Sequence, residues 1–296
     1  MKSNVFNIIL VAVILLVSLQ AGLLLIFISN NREADSIVEY DAMHYSFIND
    51  RNFYDQAYEQ AAGQVNRPPS RVYAGIVPHH LIVKDKIAAF FLGIEDFDYE
   101  TIILIGPNHY NAGYARRITS TAAWNTPYGV LLPDQDLIKA IIDNTEVKIE
   151  EAPFENEHGI TGLVPFIKKS FPDAKIMPII IKDTVTSLEA ELLAKVIVRS
   201  VDPEKTLILA SIDFSHDKQA DQADIADELS NKAILSYDFD KIYSLELDSR
   251  PAVYFMLSYL KFMGIDGSER IFHTNSGKLL GKPDEPTTSH QIFYFY

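Results

Sequence analysis

The sequence predicts an α/β protein: a mostly parallel central sheet covered by helices on both faces, preceded by one N-terminal transmembrane helix. Three observations predict it. Short apolar runs alternate with longer segments of helical period. The short runs show no polar face. A 24-residue stretch without charge opens the chain. Strands buried on both faces read as continuous apolar runs, and strands alternating with helices imply a sheet that is at least partly parallel.

Val5 to Ile28 reads VFNIILVAVILLVSLQAGLLLIFI, with only Asn7, Ser18 and Gln20 clearly polar. A spanning helix needs about 20 apolar residues, whereas a cleaved signal has an apolar core of about 7–15. The run continues past any cleavage site near Gln20-Ala21-Gly22, so residues 1–29 are expected to form a single-pass anchor. Lys2 and the α-amino group lie on one side, Arg32, Glu33 and Asp35 on the other. The positive-inside rule then places the N-terminus in the cytoplasm and the main domain outside it.

Residues 30–70 are mostly polar and carry Asn30-Asn31 and Pro68-Pro69-Ser70 as breakers, so they read as a stalk and lead-in. The body, 71–296, contains the apolar runs Val72–Val77, Thr101–Ile105, Ile176–Ile181 and Thr206–Ser211. Between them lie helical segments at 84–94, 134–144, 160–171, 187–201, 220–235 and 251–263, and 292–296 reads as a final strand.

The formal charge of −14, from 40 acidic and 26 basic residues, argues against a nucleic-acid partner, which needs a basic footprint. No cysteine is present, which excludes disulfides, thiolate ligands and a cysteine nucleophile. No P-loop, G-x-G-x-x-G or G-x-S-x-G motif occurs.

The residues just beyond the strands are more informative. Pro78-His79-His80 comes after the first run and Gly106-Pro107-Asn108-His109 after the second. Ile212-Asp213-Phe214-Ser215-His216 comes after Thr206–Ser211. Ligands of open α/β sheets bind outside the carboxyl ends of the strands, so parallel strands bring these histidines to one edge. His158, in Glu157-His158-Gly159, precedes the helix at 160. One histidine at a strand end is commonly a turn or capping residue; three at equivalent ends argue for a shared site. Imidazoles with carboxylates suit a divalent metal, and an unligated histidine beside them suits acid–base work. His44 and His290 read as structural or surface residues, and His273 is open between the two readings. Trp124 reads equally as cleft wall or packing.

At these residues the chain resembles the Memo-like family (AmmeMemoRadiSam system protein B). The matching pieces are Pro78-His79, Ile105 to His109, Thr126 to Gly129, Glu157 to Ile160 with Pro165-Phe166, 176–181, and Ser211 to His216. The resemblance implies a fold similar to class III extradiol dioxygenases, which are non-haem iron enzymes. It implies His79, His109 and His158 as metal-site residues, His216 and Asp213 as catalytic, and iron or copper as the metal, with zinc a further candidate. The chain departs from the pattern at His80-Leu81-Ile82 and at Thr161. It departs again near Lys278-Leu279, where a third ligand is expected and His80 or His273 is a substitute. Two functions are implied. One is a metal-dependent dioxygenase-like oxidoreductase or hydrolase. The other is a non-catalytic module presenting a metal, small-ligand or protein-binding pocket at a membrane.

Overall fold

The computed structural model describes residues 42–296. Its centre is an eight-stranded sheet. The strands in chain order are β2 (Ala74–Val77), β3 (Thr101–Pro107), β4 (Arg117–Thr119), β7 (Lys148–Ile149), β8 (Lys175–Ile181), β9 (Thr206–Ser211), β10 (Ser268–Asn275) and β11 (Ser289–Phe295). Across the sheet the order is β10-β11-β2-β9-β3-β8-β4-β7. The four central strands are mutually parallel, with Ile105 opposite both Ile179 and Ala210. A separate three-stranded sheet joins β1 (Met43–Tyr45), β5 (Ala123–Thr126) and β6 (Gly129–Leu131) in the order β1-β5-β6.

Alternate residues of each central strand feed two cores. Ile103, Ile105, Ile208 and Ala210 face one core, which is closed by α3 (Gln135–Asn144), α6 (Ser187–Ser200) and α9 (Arg250–Met263). Ile102, Leu104, Leu207 and Leu209 face the other. That side is closed by α1 (Arg51–Ala61), α2 (Lys84–Ile94) and α5 (Val164–Ser170). This double burial is why the central strands are apolar throughout. The helices begin where the sequence provides caps: Asp50 accepts from Asn52 N–H at 2.9 Å, and Thr186 forms a reciprocal capping box with Glu189. Helix α9 ends at Gly264, whose φ of +72° is a left-handed cap conformation.

The predicted fold needs correction on two points. The sheet is mixed: β11 runs antiparallel to both β2 and β10, and β4 antiparallel to β8. The strand expected at 292–296 begins at Ser289 and pairs with β10, an edge strand whose residues are half-exposed and mostly polar. Such a strand lacks the apolar run that marks its buried neighbours. The second correction concerns the membrane. Among the described residues, no helix is long and apolar enough to cross one. The run Val5 to Ile28 lies outside the described residues. The spanning helix, and the membrane localisation that rested on it, are therefore not carried forward. Within residues 42–70, read as a lead-in, β1 pairs with β5 and α1 buries Tyr54, Ala57 and Ala61 against the body.

Candidate metal centre

Parallel strands bring the predicted residues to one edge. The turns beyond β2 and β3 carry His79 and His109. Asn108 shapes the second turn: its side chain both donates to Ala112 O, at 2.8 Å, and accepts from Ala112 N–H, at 2.9 Å. Asn111 then takes the left-handed conformation, φ +49°. His158 opens the short helix α4 (His158–Thr161), which packs against β3.

The three rings meet. His109 and His158 stack with centroids 4.1 Å apart, and His79 stands edge-on to both at 5.1 Å. One ring nitrogen from each lies within 4.8 Å of the others. Each imidazole is held by its second nitrogen or by its packing. Ser211 Oγ donates to Gly159 O at 2.5 Å, so its oxygen accepts from His79 Nδ1–H at 3.0 Å. That assigns the His79 proton to Nδ1 and leaves Nε2 a lone pair. Gly106 lets β3 pass close to this serine; a Cβ there would lie 3.3 Å from Ser211 Cβ and O. Glu157 clamps His109 twice, accepting from the ring Nδ1 at 2.6 Å and from the backbone N–H at 2.9 Å. Again Nε2 is left for a ligand. A carboxylate or hydroxyl behind a histidine is the usual way to orient a metal ligand.

Two carboxylates complete the cluster. Asp213, beyond β9, lies 3.5 Å from His79 Nε2 and accepts from His290 Nδ1 at 3.1 Å. Asp248, just before α9, places Oδ2 at 3.4 Å from His79 Nε2 and 3.9 Å from His109 Nε2. The same oxygen accepts from Asp213 N–H at 2.9 Å. Asp248 Oδ1 and His290 Nε2 are buried with no hydrogen-bond partner among the described residues, an arrangement that costs free energy unless something else satisfies them.

The electrostatics reflect burial and crowding. Burial pushes His79 down to about 4, against the pull of Asp213. Burial, reinforced by the neighbouring His109, also lowers His158. Burial and the adjacent Asp213 charge push Asp248 well above the usual carboxylate range. For Asp213 and Glu157 burial acts upward too, but it is outweighed. Asp213 is held low by His79 and His290, and Glu157 by the bonds it accepts from His109 and Gly159. Imidazole nitrogens facing two crowded carboxylates form a donor set that a divalent cation suits.

Not every predicted residue joins this set. His216 is exposed, two residues after buried Phe214, and its neighbour Asp217 turns the chain outward at φ +57°. Lys278 and Leu279 are exposed in α10 (Ser276–Leu279), with Lys278 paired to Asp224. His80 is exposed and accepts from Ile82 N–H at 3.3 Å. His290, read as structural or surface, is buried and bonded to Asp213. Asp248 is a site residue that sequence reasoning missed. Its only sequence signal is its position just before Ser249-Arg250-Pro251, the start of a helix. His44 is buried and bonded to Glu151 at 2.8 Å, and Trp124 is packed between His44 and Phe154.

A second group, Asp224, Asp227 and His273, also has metal-like spacing. Its atoms are already engaged. Asp227 accepts from Ser215 Oγ at 2.8 Å and pairs with His273 at 2.8 Å. Asp224 accepts from Asn275 at 3.1 Å and pairs with Lys278. The group ties α7 (Ala220–Leu235) to β10.

Beside His79 and His158 opens a cleft of about 540 Å³, lined also by His80, Phe47, Phe53, Leu81 and Ile82; His109 does not line it. A larger surface depression of about 760 Å³, beside Arg117 and Arg199, includes none of the eight histidines.

A family model described as Memo-like protein matches residues 51–288. A MEMO1 family protein of Nitrosopumilus maritimus is 28% identical over 71% of this chain and 80% of that protein. One from Methanococcoides burtonii is 29% identical over 76% and 83%. The crystal structure of the uncharacterized protein JW3007 from Escherichia coli K12 superposes with a TM-score of 0.54 at 10% identity. It covers 74% of this chain and 98% of that one, a likeness of fold alone.

Proposed function

The chain belongs to the Memo-like family, and from that premise we propose that it binds one divalent metal ion through His79, His109 and His158 and uses it on a small molecule entering from the cleft. The observation that carries this reading is the pair of imidazoles locked with Nε2 free, His79 by Ser211 and His109 by Glu157. Both converge on Asp248 Oδ2. Asp248, with an unpartnered second oxygen, is a further donor. Iron and copper suit such a nitrogen and oxygen set, as does zinc. A metal held this way with open positions supplies Lewis acidity or redox chemistry to a bound substrate.

The chain's own residues would orient the ion and handle protons. In this reading Asp213, 3.5 Å from His79 Nε2, acts in proton handling. The partner we assign it is buried His290, 3.1 Å away, rather than exposed His216. His290 presents its unpartnered Nε2 within the buried region, where a histidine can pass a proton.

The test is metal analysis coupled to activity. The purified protein is reconstituted with Fe(II), Cu(II) or Zn(II), and oxygen uptake is followed with catechol-like compounds. Metal bound through His79 and His109, with uptake lost in His290→Gln, supports the enzyme. Metal bound without any turnover sinks the oxygenase reading and leaves the binding module.

A further inference from the structure

We propose that the cleft beside His79 and His158 selects a neutral small molecule with a metal-ligating head and an apolar, ring-sized body, and that the segment before the main sheet builds the selecting wall. The inference rests on the metal reading above for the head and on the cleft for the body. Phe47, Ile48 and Phe53 come from the chain between β1 and α1 and from the first turn of α1, and face Leu81, Ile82 and Tyr110 across the opening. Phe47 is 64% exposed and Tyr110 62%, so two rings lining the cleft keep most of their surface free for a ligand.

Phe47 is nevertheless fixed. Its backbone N–H donates to Thr161 O at 3.0 Å, in the helix that carries His158, and Ser46 N–H donates to Asn125 O at 3.1 Å. The Phe47 ring is held 6.5 Å from the His158 ring. A ring pinned by its backbone beside a candidate ligand acts as a preformed contact for whatever the ligand carries.

Charge decides between ligand classes. Among the described residues, no lysine or arginine lines the cleft. Lys84, beside it, is turned to the Phe53 carbonyl at 3.2 Å and lies over the Phe53 ring. Near His79 and His109 lie Asp213, Asp248 and Glu157. A carboxylate or phosphate on the ligand body would find no counter-charge in the walls. The volume, about 540 Å³, suits a small molecule.

The probes are imidazole, 4-phenylimidazole and 4-(imidazol-4-yl)benzoate, titrated into the Co(II)-loaded protein and read in its visible spectrum. The expected result is 4-phenylimidazole binding about tenfold or more tighter than imidazole. The benzoate should gain little, and Phe47→Ala and Phe53→Leu should cut the phenyl gain to about threefold or less with imidazole binding unchanged. Phe47→Ala removes a mostly exposed ring, so folding is not at stake. A phenyl gain that is absent, or survives in both variants, overturns the selecting wall. A protein that takes up no Co(II), or takes it up equally in His79→Ala, overturns the metal reading instead. In that case the wall is read on the metal-free protein with the neutral dye N-phenyl-1-naphthylamine. Its displacement by 4-phenylimidazole, weakened about fivefold in Phe47→Ala, supports the wall; no displacement overturns it.

Discussion

Two clusters in this molecule share a composition of histidine and aspartate and differ in what is left over. Around Asp227, every carboxylate oxygen for which a partner is needed has one: Ser215, His273, Asn275 and Lys278 engage the two acids. Around Asp248, the rings are aimed inward, two carboxylates crowd one another, and Asp248 Oδ1 and His290 Nε2 have no partner among the described residues. The first cluster is a strut between α7 and β10. The second turns several donor atoms toward one another and satisfies them less completely. Ligand-like spacing does not separate them, since both groups satisfy it; the accounting of hydrogen bonds does.

That difference can be broken experimentally. The largest expected effect is on the strut. Asp227→Ala removes the 2.8 Å partner of both His273 and Ser215 at a fully buried position, leaving them only longer contacts, and should cost about 3 kcal/mol of stability. Urea unfolding measures this, and metal content should not change. Next comes Glu157→Gln, which weakens the clamp on His109 Nδ1 while keeping its shape. It should lower metal affinity about 10- to 100-fold, read by competition with a chelator. Stability is the wrong readout there, because the effect is on ligand orientation.

The smallest effect concerns a third histidine–carboxylate pair, His44–Glu151, which belongs with the struts. Burial acts to raise Glu151, but bonds from His44, Ser120 and Thr121 outweigh it and hold the carboxyl at about 2, against 4.5 ordinarily. A depressed carboxylate contributes stability in full above its unfolded value and loses it as pH falls through the folded one. The window is therefore pH 4.5 down to about 2. The side chain is 31% exposed, so solvent screening reduces the contribution to on the order of 1–2 kcal/mol. The stability gap between the protein and Glu151→Gln should be open at pH 6 and narrow by pH 3.

How much of this was legible in the sequence depends on burial. β2, β3, β8 and β9 announce themselves because both faces are covered, so their residues are apolar without alternation. β10, polar at the sheet edge, and the three-residue strands β1 and β6 offer no such run. The same logic governs the site. His79 and His109 sit directly past parallel strands, where topology places ligands. His290 reaches the same edge because β11 runs antiparallel to β2, a reversal that no local pattern predicts. Asp248 arrives from a helix-entry loop and carries no motif. His216 follows the same strand as Asp213 and is exposed beyond buried Ser215, near His80 at the mouth of the cleft. Side-chain direction beyond the first few residues of a loop is set by tertiary packing.

The central claim is that the His79 cluster holds a metal and the His273 cluster does not. Metal content after reconstitution, measured by elemental analysis on the wild-type protein, His79→Ala and His273→Ala, tests it most directly. The account predicts about one equivalent in the wild type and in His273→Ala, and at least a roughly 100-fold loss of affinity in His79→Ala. Metal retained in His79→Ala, or lost in His273→Ala, would contradict it.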